Sequence, residues 1–226
     1  MPEGALDLSR GCGNPTGFAR LQPGEVVVDF GCGGGLDVIL AAHKVGPHGK
    51  VVGLDIAPEM IDRARQAVAA AGLPDRDIDL RVAELENSQL PDTYADVIIS
   101  NCVINLCPDK DAVYTEAYRL LRPGGRLAIS DIVFTEVIEP DLQERFRLTW
   151  AGCLGGATPE VEYWLTVKNA GFTEIQIVSR HVLSPGELAA MASCPGQDFT
   201  PSPEQEDRAR VEGKVASVKF TAKKLD

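Results

Sequence analysis

Val26-Val27-Val28-Asp29-Phe30 is an apolar run broken by a single acid, the mark of a strand buried on both faces. Glycines follow, and from Leu36 to Val45 the pattern LDVILAAHKV takes up helical spacing. The alternation then repeats. Lys50 to Asp55 reads as a second strand, delivered by the turn Gly46-Pro47-His48-Gly49. A helix is predicted over 58–71: Pro58 sits near its start, where a missing N–H costs nothing, and Gly72 follows its end. Residues 78–82 and 95–100 read as the third and fourth strands. A helix over about 111–121 stops at Arg122-Pro123-Gly124-Gly125, and 126–131 is a fifth strand. Helices at about 140–149 and 159–170 precede a strand at 174–180 and a last one at 215–222. Residues 1–24 read as a loop. The stretch 184–213 is polar and proline-dotted, irregular apart from a short helix over 185–192. Strands alternating with helices predict an α/β fold, a parallel sheet with helices on both faces. One domain over 1–226 is expected, with a leading segment 1–24, a core 24–132 and a remainder 133–226.

Composition narrows the partners. At 44% hydrophobic and 24% charged residues the chain is that of a globular protein, and no apolar run is long enough to span a membrane. The start MPEGALDLSRGCG has neither the basic region nor the apolar stretch of a secretory signal, so a cytoplasmic location is expected. A net charge of −11 argues against nucleic acid, whose phosphates need a concentrated basic surface. The six cysteines are scattered, with no C-x-x-C pair, which gives no support to a zinc ribbon or a thioredoxin-like motif; free thiols in a reducing compartment are expected. A monomer is expected.

The turn after the first strand carries Gly31, Cys32, Gly33, Gly34 and Gly35, opening onto a helix N-terminus that favours polar or anionic ligand groups. Position 36 is Leu, so the dinucleotide fingerprint G-x-G-x-x-G is not met. A G-x-G-x-G loop with Asp29 just before it suits a nucleoside without a pyrophosphate, and Cys32 supplies the small side chain the loop needs. Asp55, 20 positions after Gly35, can accept hydrogen bonds from two ribose hydroxyls. Met60 is placed for an adenine face, and Glu84 beside Leu85 for the adenine amino group. Asn101 is placed for the remainder of the ligand. With the turn Leu120-Leu121-Arg122-Pro123-Gly124-Gly125, this set resembles the class I S-adenosylmethionine-dependent methyltransferases over roughly residues 24–132. The resemblance implies a Rossmann-like, doubly wound sheet of seven strands, mostly parallel, with an antiparallel last strand.

Three phrases carry further chemistry: Gly11-Cys12-Gly13-Asn14-Pro15, Ser100-Asn101-Cys102-Val103-Ile104-Asn105-Leu106 and Gly152-Cys153-Leu154-Gly155-Gly156-Ala157. All three can converge at the carboxyl edge of the sheet. Thiols suit a soft, thiophilic centre and are poor general bases. A trivalent metalloid held by thiolates keeps a lone pair that can attack a sulfonium methyl in line without a base, leaving alignment to the protein. These phrases resemble those of the arsenite S-adenosylmethionine methyltransferases, a likeness that runs over nearly the whole chain and is weakest after about residue 180. By that likeness Cys12, Cys102 and Cys153 are arsenic ligands. It also implies methyl transfer to As(III) or its thiol conjugates, with thioredoxin or glutathione as reductant.

Family members have more sequence upstream, including a segment that closes over the cofactor and, in some, a fourth cysteine. Here Cys12 lies 11 residues after Met1, so a shortened start, with a weaker hold on the cofactor, is one reading. Cys107 reads as structural and Cys194 as a surface thiol. His43, His48 and His181 show no metal spacing. Two other readings share the fold: a methyltransferase for a small organic molecule, for which the three cysteines are dispensable, and a non-catalytic As(III)-binding protein.

Overall fold

A computed structural model describes residues 13–73, 77–149, 154–192 and 205–225. Seven strands form one sheet: β1 (Val26–Phe30), β2 (Lys50–Asp55), β3 (Asp77–Val82), β4 (Ala95–Asn101), β5 (Leu121–Phe134), β6 (Thr173–Val182) and β7 (Val215–Lys223). Their order is β3-β2-β1-β4-β5-β7-β6. β1 pairs in parallel with β2 and β4, while β7 runs antiparallel to both its neighbours. The expected mixed sheet with an antiparallel last strand is therefore present.

The apolar run of β1 is explained by its central place, since Val27, Val28 and Phe30 are fully buried and alternate between two cores. On one face Val27, Val97, Ile99 and Ala128 meet α2 (Leu36–Val45) and α3 (Pro58–Ala70) through Val38, Ile39 and Ile61. On the other, Val28, Phe30, Ile98 and Ile129 meet α4 (Lys110–Leu120) and α6 (Glu160–Asn169) through Tyr114 and Tyr163. A third cluster lies beyond the carboxyl end of β5. There Cys102, Ile132 and Phe134 join Leu142 and Phe146 of α5 (Pro140–Thr149), Leu154, and Leu188 of α7 (Pro185–Ala192).

Three differences from the sequence reading have physical causes. β5 extends beyond 126–131 at both ends: Leu121 pairs with Ala95 of β4, and β7 pairs along the strand from Arg126↔Lys223 to Phe134↔Val215. The leading segment contains a helical turn, α1 (Pro15–Phe18), which Asn14 caps by accepting from Gly17 N–H at 3.0 Å. In the stretch expected to be irregular, α8 (Gln205–Arg210) packs on α5 through a forked ion pair, Arg145 Nε and Nη2 to Asp207 at 3.0 and 3.1 Å. Among the described residues no helix is long and apolar enough to cross a membrane.

Candidate active site

The glycine loop joins β1 to α2. Gly31 and Cys32 N–H both donate to the Leu54 carbonyl at 2.8 Å, which ties the loop to the end of β2. Gly31, Gly33 and Gly35 all have positive φ, at 75°, 49° and 85°. They serve different ends. A Cβ on Gly31 would overlap the side chain of Val103, and one on Gly35 would lie 3.0 Å from Ala64 Cβ, so these two glycines allow close packing. At Gly33 a Cβ would meet nothing within 4 Å, so this is where the loop is open to a ligand. Cys32 is buried, and burial followed by the charges of Asp29 and Asp55 pushes its thiol far up, which makes it inert. Gly31→Ala is expected to cost about 2 kcal/mol from left-handed strain and overlap with Val103. It should lower the melting temperature by roughly 4–8 °C in a thermal scan.

Three carboxylates surround this loop. Asp29 is 1% exposed, and its Oδ2 has no hydrogen-bond partner among the described residues. Burial, then the charges of Asp37 and Asp55, hold its pKa well above the usual carboxylate range. Asp37, in the first turn of α2, is also raised by burial, while a hydrogen bond from Asn101 Nδ2 at 3.1 Å acts the other way. Asp55 accepts from Gly33 N–H at 2.9 Å and Ala57 N–H at 3.0 Å. A helix N-terminus alone favours anions, but three acids crowded there favour a cationic ligand group, and this reverses the sign expected from sequence.

The other expected contacts are spread along the ends of β2 to β4. Met60 is half-buried on α3. Glu84 is exposed and bridges to Asn87, while Leu85 is core. Beside Leu85, Glu86 has a buried Oε1 with no partner among the described residues. Ile56 and Val82 are 69% and 51% exposed at the ends of β2 and β3. Sequence reading passed over both, although an apolar residue directly after Asp55 was a usable signal for a flat ligand face. Asn101, expected to meet the ligand, grips the leading segment. Its Nδ2 donates to the Gly13 carbonyl at 2.9 Å, and its Oδ1 accepts from Gly13 N–H at 3.2 Å.

Cys12, Cys153 and Cys194 lie outside the described residues; Gly13 and Leu154, which follow the first two, lie inside them. Cys102 is 5% exposed, holds φ at 59°, and its N–H donates to the Ser130 carbonyl at 2.8 Å. A left-handed cysteine is strained by about 1–2 kcal/mol, and such strain concentrates at functional sites. Cys102 is disulfide-bonded, and since Cys32 and Cys107 are free its partner is neither of them. Next to Cys12, Gly13 is clamped by Asn101 and packs on Ser130 with no room for a Cβ. Next to Cys153, Leu154 is fully buried in the same cluster as Cys102, and a Cβ on Gly156 would overlap the Asn105 carbonyl. Residues from all three cysteine-bearing phrases thus meet at the carboxyl end of β4 and β5.

Cys107 is half-buried, its thiol 3.9 Å from the Val103 carbonyl, and burial followed by Glu86 pushes it up to about 12. His43 and His48 are exposed, and His181 pairs with Glu187 at 3.0 Å. Among the described residues no group of three His, Cys, Asp or Glu could hold a metal ion. Sequence reading missed Asp131, which is fully buried on β5. An acid inside the run Ala128-Ile129-Ser130-Asp131-Ile132-Val133 was the one available signal.

The family model of the methyltransferase domain matches residues 21–192. The chain belongs to this methyltransferase family. It is 43% identical over 175 residues to an arsenite methyltransferase of Halobacterium salinarum, covering 77% of this chain and 44% of that protein. An arsenite methyltransferase of Aquipseudomonas alcaligenes is 36% identical over 184 residues, covering 77% and 51%. Among solved structures, an arsenic(III) S-adenosylmethionine methyltransferase from Chlamydomonas reinhardtii superposes with a TM-score of 0.80 at 28% identity, over 100% of this chain and 71% of that one. The chain spans about half the length of the curated relatives it matches.

Proposed function

We propose that this methyltransferase moves the methyl group of S-adenosylmethionine to trivalent arsenic held by Cys12, Cys102 and Cys153. The observation that carries the reading is the meeting of the three cysteine-bearing phrases around Cys102, through Gly13 on Asn101 and Gly156 on Asn105. The residues of the loop fit the cofactor: Asp29 offers an unpartnered buried oxygen, Asp37 and Asp55 add negative charge, and Gly33 leaves open space. S-adenosylmethionine, when bound, supplies an activated methyl on a positively charged sulfur.

In this reading Asp55 holds the ribose hydroxyls, with Met60, Glu84 and Leu85 on the adenine side. Asp29 and Asp37 surround the positive groups, and Asn101, bonded to Asp37, meets the remainder of the cofactor while it secures the leading segment. The thiolates fix the arsenic and aim its lone pair. Cys102 must be a thiol to do so, so a thioredoxin- or glutathione-class reductant, itself oxidised to a disulfide, first returns Cys102 and its partner to thiols. The setting that suits this is a reducing cytoplasm.

The test is labelled-methyl transfer from S-adenosylmethionine to As(III) by the reduced protein. Methylated arsenic is the expected product. Binding of As(III) without transfer would identify a non-catalytic arsenic holder, and absence of As(III) binding would overturn the reading. Asp55→Ala is expected to raise the Kd for S-adenosylhomocysteine roughly 10- to 100-fold, for two lost charge-assisted hydrogen bonds. As(III) binding measured by titration calorimetry should stay unchanged in that variant.

A further inference from the structure

Asp131 has no role in the chemistry above, yet it is fully buried and accepts three hydrogen bonds within a wider network. Its Oδ1 accepts from Asn105 Nδ2 and from Ile132 N–H, each at 2.9 Å. Its Oδ2 accepts from the Tyr163 hydroxyl at 3.1 Å, which is paired with the Tyr114 hydroxyl at 2.6 Å. Asn105 Nδ2 also donates to the Ile132 carbonyl at 2.7 Å. The carboxyl therefore gathers β5, α4, α6 and the short 3-10 turn Ile104–Leu106 that follows Cys102. A buried carboxyl is costly in such a place, and here it is held by three buried donors that an apolar side chain would leave without this acceptor.

What the network fixes is the backbone of Asn105, three residues after Cys102. The carbonyl of that residue is the surface against which Gly156, three residues after Cys153, packs too closely for a Cβ. The segment around Gly156 is in turn laid along the end of β5, where Phe134 N–H donates to the Thr158 carbonyl at 3.0 Å. The cofactor loop lies at β1 and β2, and none of these bonds reaches it.

We infer that Asp131 is a positioning residue for the arsenic site: through Asn105 it sets the spacing between the loop carrying Cys102 and the segment containing Gly156. The inference rests on the function proposed above. If it holds, breaking the network spreads the thiols and weakens their grip on arsenic without altering the cofactor site.

The experiment measures Kd for As(III) and for S-adenosylhomocysteine by titration calorimetry on the reduced wild type and variants. Asn105→Ala is expected to weaken As(III) binding about 10-fold or more, with S-adenosylhomocysteine within about twofold. Asp131→Asn can keep Asn105 and Ile132 N–H on its oxygen and give its amide to Tyr163, so it should bind As(III) as wild type does, within about 1.5-fold. As(III) affinity unchanged in Asn105→Ala, or both ligands weakened in proportion, overturns the inference. Should Asn105→Ala fail to fold, Tyr163→Phe removes one hydroxyl from the same carboxyl. It should weaken As(III) binding about threefold with the cofactor unaffected, and unchanged As(III) binding there overturns the inference equally. A wild type that binds S-adenosylhomocysteine but not As(III) overturns the functional reading and the inference with it.

Discussion

Cys102→Ser is expected to lower methyl transfer to As(III) by at least about 100-fold while leaving affinity for S-adenosylhomocysteine within about twofold. The two readouts separate because serine leaves in place the contacts between the two halves of the site, Gly31 against Val103 and Asn101 on Asp37. The cofactor half is built from the glycine loop, Asp29 and Asp55. Serine changes none of it. It is nearly isosteric with cysteine, and it keeps the N–H that donates to the Ser130 carbonyl, so the left-handed conformation of the loop persists. What it removes is a soft donor. A hydroxyl in a cluster formed by Ile132, Phe134 and Leu154 does not ionise near neutral pH and does not replace a thiolate on a thiophilic centre. A misplacement of about 1 Å at a reacting centre already costs about 100-fold, and losing a ligand misplaces the arsenic by at least that much. The measurement is labelled-methyl transfer to arsenic by wild type and variant under the same reductant, with calorimetry for the cofactor product. Robust methylation by the serine variant would take arsenic away from Cys102 and favour an organic acceptor. Equal loss of both activities would point to a collapsed loop.

Much of the scaffold was legible because it is local. The helix bounds Leu36–Val45 and the strand Lys50–Asp55 follow from apolar periodicity and flanking glycines, and both appear as expected. The carboxyl end of β5 was not legible, since it is set by a partner strand about ninety residues away in the chain whose register no local pattern encodes. The same distance hid the parts of the site that matter most. Asn101 was placed correctly at the end of β4, but its clamp on Gly13 spans 88 residues, and spacing could not assign its partner. Asp29, Asp37 and Asp55 each look like an ordinary strand-end or helix-start acid. Only the folded arrangement buries Asp29 and brings Asp37 and Asp55 close enough for their charges to raise its pKa further, which gives the loop its preference for positive charge. Asp131 and its partners Asn105, Tyr114 and Tyr163 belong to four separate elements, so no motif contains them. The glycines at 13 and 156 entered the sequence reading only as parts of cysteine-bearing phrases, whereas each is needed because another chain segment occupies the place of its Cβ.

At about pH 8, Asp131→Asn is expected to be more stable than wild type by about 4 kcal/mol relative to the same comparison near pH 4. Burial pushes the carboxyl of Asp131 up to about 7 from an unfolded value of 3.8, and the hydrogen bonds from Ile132 and Tyr163 and the charge of Lys110 only partly oppose it. Between those two values the folded chain keeps a proton that the unfolded chain has released. Stability carried by this group is therefore complete below the unfolded pKa, falls by up to about 1.4 kcal/mol per pH unit through the window, and is lost once pH passes the folded value. Three units of separation give the figure of about 4 kcal/mol. Asparagine cannot ionise, so the difference between variant and wild type isolates this one group from every other titration in the protein. Urea unfolding of both at about pH 4.5, 6 and 8 reads the slope directly. A difference that stays flat across that range would mean that the carboxyl ionises at its ordinary pH inside the fold. A steep difference, together with As(III) binding retained in the variant, would separate the two consequences of this residue. The hydrogen-bond geometry around Asn105 is what the arsenic site uses, and the buried charge is what the fold must tolerate to have it.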